Sequence, residues 1–263
     1  MIKLPDIQKI NEIAHHAGSA ILEIYQQDFG VMEKADKSPL TEADLASHHV
    51  IVSNLKSLTP DIPVLSEEST DIPYSTRAQW QTYWLIDPLD GTKEFIKRNG
   101  EFTVNIALIH AGRAVMGVVY VPVSRVTYYG DSEKGAFKMD ADGSSSAIRV
   151  SSEHQTPLRV AGSRSHAGDS LLQFLNKLGE HDIISMGSSL KLCLVAEGKA
   201  DIYPRLGPTS EWDTAAAQAV VEAAGGKVTD TDLNPLMYNT KESFLNPYFL
   251  VFGDTSIDWS AYL

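Results

Sequence analysis

The chain has 263 residues, with 22 Lys and Arg against 34 Asp and Glu, a formal charge of −12. That excess excludes a general nucleic-acid-polymer binder, which carries a basic face, and adhesion to anionic lipid by bulk electrostatics. One cysteine, Cys193, excludes an internal disulfide and a thiolate-built zinc site.

The length allows one or two domains. Leu4, Ile7, Ile10, Ala14, Ala17, Ile21 and Ile24 step by three or four, which predicts an amphipathic helix over 4–27. Thr41 opens a second helix carrying Leu45, Val52, Leu55 and Leu58, stopped by Pro60 and Pro63. Val64–Leu65 and Tyr83–Ile86 read as strands. Thr103–Ala111 and Arg113–Val121 read as a hairpin turning at Gly112, extended by Arg125–Gly130 and Gly135–Met139. Asp140–Ala147 reads as a small-residue loop near the boundary between two halves, residues 1–147 and 148–263. Beyond it, strands Leu158–Gly162, Ile183–Met186, Asp201–Tyr203 and Gly226–Thr229 alternate with helices over 168–178, 188–197 and 212–224. This is a layered α/β pattern. The opening decapeptide lacks the apolar stretch of a secretory signal. No window approaches the roughly 18 apolar residues of a membrane span. The expected compartment is the cytoplasm.

The densest chemical signal is Asp87-Pro88-Leu89-Asp90-Gly91-Thr92, directly after the strand Tyr83–Ile86. Two carboxylates three residues apart, on a turn shaped by Pro and Gly, can converge on one point. Like charges repel, so a buried strand that ends in two acids needs a cation. Hard ions such as Mg²⁺ take carboxylate and carbonyl oxygens. The same residues also make an ordinary turn. Glu67-Glu68 follows Pro63–Leu65 and reads either as ligands or as a solvated loop. Asp213 sits in the first turn of an Ala-rich helix, where an acid also suits the helix dipole.

These three motifs, in this order, resemble the metal-dependent, lithium-sensitive phosphatases typified by inositol monophosphatase, over essentially the whole chain. The resemblance implies an α/β (α+β) fold, a layered αβαβα sandwich, and hydrolysis of phosphate monoesters with two or three Mg²⁺ per active site. It implies that Glu67, Asp87 and the carbonyl of Leu89 hold one ion, and that Asp87, Asp90 and Asp213 hold a second. Glu67 would also serve a third ion through water. Paired cations suit in-line displacement at phosphorus. The resemblance further pairs Thr92 with Asp44 to orient the nucleophilic water. Thr41-x-x-Asp44 is at the same time a capping box, and the two roles are compatible.

Lys93-Glu94-Phe95-Ile96 departs from the Thr-Asn-Phe usual after this motif in inositol monophosphatases. It looks like the 3′(2′),5′-bisphosphate nucleotidase branch, as do Gly162–His166, Gly187–Lys191, Pro204-Arg205 and the stretch 97–108. The implied reaction turns adenosine 3′,5′-bisphosphate into AMP and phosphate. The phosphate that does not react would meet a helix N-terminus at Ser188. Lys191 and Arg205 would supply charge, and His166 would contact the nucleotide. Glu67, Leu89, Asp90, Gly91, Thr92 and Asp213 would edge the substrate from the metal side. Residues 1–147 would carry most metal ligands; residues 148–263 would carry the nucleotide-binding residues and Asp213. The implied partner is a small nucleotide bisphosphate, with the oligomeric state open. Bacterial relatives imply loose attachment to the cytoplasmic face of the inner membrane. An inositol monophosphatase, an NADP phosphatase and a silent nucleotide sensor stay open as alternatives. Ser188–Lys191 also fits the S-x-x-K of acyl enzymes, but the partner motifs S-D-N and K-T-G do not occur.

Overall fold

The computed structural model describes residues 3–27, 31–33, 39–154, 156–162 and 168–263. Helix α1 (Ile7–Tyr25) leads to strands β1 (Val31–Glu33) and β2 (Pro39–Thr41), then helix α2 (Glu42–Leu58). Strand β3 (Val64–Ser66), helix α3 (Tyr74–Arg77), strand β4 (Thr82–Asp90) and helix α4 (Thr92–Ile96) follow. The meander consists of β5 (Thr103–His110), β6 (Arg113–Val121), β7 (Val126–Asp131), β8 (Gly135–Met139) and β9 (Ser145–Ile148). The remainder alternates β10 (Leu158–Gly162), α5 (Asp169–Leu178), β11 (His181–Ser185), α6 (Leu190–Ala196), β12 (Ile202–Arg205) and α7 (Glu211–Ala223). Strands β13 (Lys227–Asp230) and β14 (Phe249–Phe252) and a 3₁₀ turn, Trp259–Tyr262, complete it. Among the described residues, β3 to β9 form one seven-stranded sheet in chain order. A five-stranded sheet runs β11-β10-β12-β14-β13.

Period-two alternation sorts side chains into layers. On β4 and β5, Trp84, Ile86, Val104, Ile106 and Leu108 join the core under α1 and α2. Their neighbours Tyr83, Leu85, Ala107 and Ile109 point the other way, into a core shared with α6 and α7. The second sheet repeats the division. Tyr203, Phe249 and Val251 face that middle core, while Ile202, Leu250 and Phe252 face α5 and Trp259. Helices, sheet, helices, sheet and helix therefore stack in the expected αβαβα order. The Ala run of α7 has a steric reason, because the helix lies almost in contact with β6. A Cβ placed on Gly117 would stand 2.0 Å from the Ala216 carbonyl oxygen.

The predicted helices hold with trimmed ends, except that α7 starts and stops one residue earlier than expected. Helix α1 starts after Asp6, whose side chain accepts the Gln8 N–H at 3.1 Å. Helix α6 starts two residues later than predicted, because Ser188 is in the left-handed region at φ +42°. The expected loop 140–147 is in its second half an edge strand. Asp140–Gly143 turns, with Gly143 at φ +85°, and β9 pairs antiparallel with β8. Backbone pairing and the Tyr129–Ser145 hydroxyl contact at 2.7 Å overrode the poor strand propensity of its serines. Among the described residues no helix is long and apolar enough to cross a membrane.

Candidate active site

Residues three apart on a regular strand point to opposite faces of the sheet. Asp87 and Asp90 are three apart, yet they belong together. The reason is a bulge: Asp87 pairs with Asn105 and Asp90 with Thr103, so three steps on β4 match two on β5. The slip restores parity and turns both carboxylates to the α6–α7 side. Pro88 has no N–H to offer the ladder, and its carbonyl accepts the Ser47 hydroxyl of α2 at 2.7 Å. Leu89 N–H closes back onto Asp87 Oδ1 at 3.0 Å.

Asp213 arrives from the first turn of α7, where its Oδ2 accepts the Ser210 N–H at 2.8 Å. Carboxylate oxygens of Asp87, Asp90 and Asp213 all lie within 4.8 Å of one another. Burial, followed by the charges of Glu67, Asp90 and Asp213, holds the Asp87 carboxyl well above its ordinary range. Burial and the neighbouring Asp90 push Asp213 up to about 8. Burial also raises Asp90, but the Lys191 charge and the Ser189 N–H at 2.6 Å hold it to about 6. Glu67 follows β3, donates its N–H to Ile86 O at 3.2 Å and hydrogen-bonds the Asp87 carboxyl. Asp87, Asp90 and Asp213, each raised by burial and by neighbouring acids, stand with Glu67 as a set of oxygen donors of the kind a hard divalent cation takes. A cation there would remove the repulsion that the fold otherwise bears.

Asp44 is 1% exposed and serves two partners with two oxygens. Oδ2 accepts the Thr41 N–H at 2.7 Å and the Thr41 hydroxyl at 2.6 Å, which completes the predicted cap. Oδ1 accepts the Thr92 hydroxyl at 3.3 Å. Gly91, at φ +94°, lets the chain leave β4 and enter α4 within one residue, which brings Thr92 to Asp44.

A cavity of about 160 Å³ adjoins the acids, with Asp90, Gly91, Ser188, Lys191, Arg205 and Asp213 in its wall. Ser188 Oγ and Arg205 Nε are buried with no hydrogen-bond partner among the described residues. Arg205 is steadied by Nη2, which donates to Pro208 O at 2.9 Å. Lys191 Nζ donates to Ser188 O at 2.7 Å and Met186 O at 3.2 Å, so it braces this loop while lending charge. Burial lowers its ammonium to about 8, and Asp90 opposes that drop. The structure corrects the expected helix N-terminus at Ser188. The cap residue is Ser189, and its N–H is already given to Asp90. What Ser188 offers is its hydroxyl. His166 lies outside the described residues.

Sequence reasoning missed Glu101, whose Oε2 accepts the Gly187 N–H at 2.7 Å, and missed Ser189 and Asn105 beside Asp90. No pattern marks single polar residues of this kind. A larger cavity, about 400 Å³, lies beside Glu222 and Lys227 toward the other end of α7. The single three-acid group among the described residues is at the smaller one.

A layered αβαβα sandwich with clustered carboxylates where β4 meets α7 defines the class, and the chain belongs to the inositol monophosphatase family, whose model matches residues 5–249. The family is generally Mg²⁺-dependent. Within it, the chain is 52% identical over 247 residues to the 3′(2′),5′-bisphosphate nucleotidase CysQ of Salmonella typhimurium, covering 93% of this chain and 98% of that protein. It is 53% identical over 248 residues to the enzyme of the same name from Escherichia coli strain K12, with the same coverage. Among solved structures, CysQ from Bacteroides thetaiotaomicron matches with a TM-score of 0.81 at 42% identity, covering 94% of this chain and 97% of that one. The suhB protein of Bartonella henselae matches with a TM-score of 0.80 at 26% identity, covering 97% of each.

Proposed function

We propose that this chain hydrolyses the 3′-phosphate of adenosine 3′,5′-bisphosphate to AMP and phosphate, in the cytoplasm, with Mg²⁺ as cofactor. The observation that carries the reading is one cavity wall that holds both an acid cluster and cationic or hydroxyl donors. The acids suit a metal; Ser188 Oγ and Arg205 Nε are buried donors awaiting an acceptor. A substrate with two phosphates satisfies both ends. Identity of 52–53% to curated bisphosphate nucleotidases supports the same substrate.

Each residue then has a task. Glu67, Asp87 and the Leu89 carbonyl hold one ion; Asp87, Asp90 and Asp213 hold another, with Glu67 within reach of a third. Bound there, Mg²⁺ supplies the Lewis acidity that phosphate ester hydrolysis needs. Asp44, whose Oδ2 is fixed by Thr41, orients the Thr92 hydroxyl, and that hydroxyl positions the attacking water. Arg205, Ser188 and Lys191 take the phosphate that is not cleaved, and His166 contacts the nucleotide. Glu67, Leu89, Asp90, Gly91, Thr92 and Asp213 border the reacting phosphate. The organisation into residues 1–147 and 148–263 is supported by the sheets, the first ending at Ile148 and the second opening at Leu158.

The acyl-enzyme alternative has no support, since Lys191 Nζ is engaged with the Ser188 and Met186 carbonyls. Turnover of adenosine 3′,5′-bisphosphate, inositol 1-phosphate and 2′-AMP, compared as kcat/KM, tests the substrate. The bisphosphate is expected to lead clearly; equal or better turnover of inositol 1-phosphate would overturn the assignment. Arg205→Ala should raise KM about 10–100-fold, the worth of one charge-assisted hydrogen bond, with kcat little changed. A fall in kcat at constant KM would mean that Arg205 acts on the reacting phosphate instead.

A further inference from the structure

We infer that Asn105 is a positioning residue for Asp90 and ties that carboxylate, through Ser189, to the loop lining the substrate cavity. The inference rests on the proposed role of Asp90 as a metal ligand. Asn105 lies on β5 opposite Asp87 and is 1% exposed. It shares its face of the sheet with Thr103, Ala107 and Ile109, so it points toward α6. In that layer an apolar residue would pack, and a buried amide is tolerated only where its polar ends find partners. Here every end of the amide is used. Oδ1 accepts the Thr103 hydroxyl and the Ser189 hydroxyl, each at 3.0 Å. Nδ2 reaches Asp90 Oδ2 at 3.4 Å.

The same Asp90 oxygen takes the Ser189 N–H at 2.6 Å. Oδ2 is therefore held by Asn105, by Ser189 and, at 3.5 Å, by the Thr103 hydroxyl, and Oδ1 is the oxygen left without a hydrogen bond among the described residues. A ligand carboxylate held by one oxygen presents the other in a set direction, which is how surrounding hydrogen bonds tune a metal site. Ser189 gives the arrangement its second reach. It is the cap of α6 and the neighbour of Ser188, whose hydroxyl borders the cavity. Gly187, one residue further back, donates to Glu101 across the same seam at 2.7 Å. A group that presses on the 187–189 loop thus moves a donor to Asp90.

The test is calorimetric titration of Mg²⁺ alone into wild type, Asn105→Leu, Ser189→Ala and Asp90→Asn, with melting in EDTA alongside. Leu keeps the shape of Asn and deletes the amide. Asn105→Leu is expected to weaken Mg²⁺ binding about 10–100-fold. Its metal-free melting temperature should move little, because the Thr103 and Ser189 hydroxyls, 2.9 Å apart, can pair with each other once the amide is gone. Ser189→Ala keeps the backbone N–H and removes only the hydroxyl, so a smaller shift in the same direction is expected. Unchanged Mg²⁺ binding in Asn105→Leu would overturn the inference. If that variant does not fold, unchanged binding in Ser189→Ala does so. Asp90→Asn separates the two levels. If it alone loses Mg²⁺, the ligand role stands and the positioning role falls. If even Asp90→Asn binds Mg²⁺ as wild type does, the ligand reading itself fails, and the positioning role with it.

Discussion

Asp90→Asn is expected to lower phosphate release by about 10³-fold, the scale on which a preorganised charge stabiliser counts, while the fold survives. Asn keeps an oxygen for the Ser189 N–H, which lies 2.6 Å from Oδ2 in the native site. It removes the negative charge that a divalent ion needs. It also removes a charge that Asp213 feels as repulsion. The metal-free variant should therefore be the more stable protein at neutral pH. Folded Asp90 is raised to about 6 from an ordinary 3.8. For a raised carboxyl, the stabilising contribution is fully present below the unfolded value and is lost as pH climbs through the folded one. The gap in melting temperature between Asp90→Asn and wild type in EDTA should accordingly open between about pH 4 and pH 6. Its size should be on the order of 5 °C. Saturating Mg²⁺ should reverse the order, because only wild type retains the full ligand set. Near-normal turnover of Asp90→Asn at saturating Mg²⁺ would refute its role.

The second large effect concerns stability. Gly117→Ala adds a Cβ that would lie 2.0 Å from Ala216 O, 2.8 Å from Ala216 C and 3.0 Å from Ala216 Cα. All three atoms are helix backbone, so no side chain can swing aside. Helix α7 must lift from β6, and overpacking of this kind costs about 3 kcal/mol or more. A loss of about 10 °C in melting temperature follows for a chain of this size. Activity should fall further than melting alone explains, since α7 also carries Asp213 toward Asp87 and Asp90. Gly117→Ala melting within 2 °C of wild type, a margin below about 1 kcal/mol, would show that the helix has room the geometry denies.

Much of the site was legible because its chemistry is written in adjacent residues. Asp87, Asp90 and Asp213 stand out as acids where a strand ends or a helix begins, and they meet within 4.8 Å. Asp44 and Thr92 were paired by family resemblance, and a hydrogen bond joins them. What brings Asp87 and Asp90 to one face was not legible, because the spacing of three argues against it in a regular strand. Pro88 was the hint, being a residue that a sheet accommodates at bulges and edges. Ser188 looked like a helix cap, since serine is one of the commonest. Its backbone is instead left-handed, in a loop where Gly187 N–H is given to Glu101 and the Ser188 carbonyl accepts from Lys191, pairings that no local pattern announces. Strand β14 went unpredicted because Phe249–Phe252 is uniformly apolar and shows no period. Strand β9 was hidden by the opposite fault, a run of small polar residues. The layer order survived these misses, since it follows from the long periodic segments.

The most direct test of a Mg²⁺-dependent 3′-phosphatase is the identity of its products. Adenosine 3′,5′-bisphosphate, incubated with the chain with and without Mg²⁺, can be followed by ³¹P NMR. The expected result is one phosphate released for each adenosine 5′-monophosphate formed, with Mg²⁺ only. Release of the 5′-phosphate, or equal release in EDTA, would contradict it.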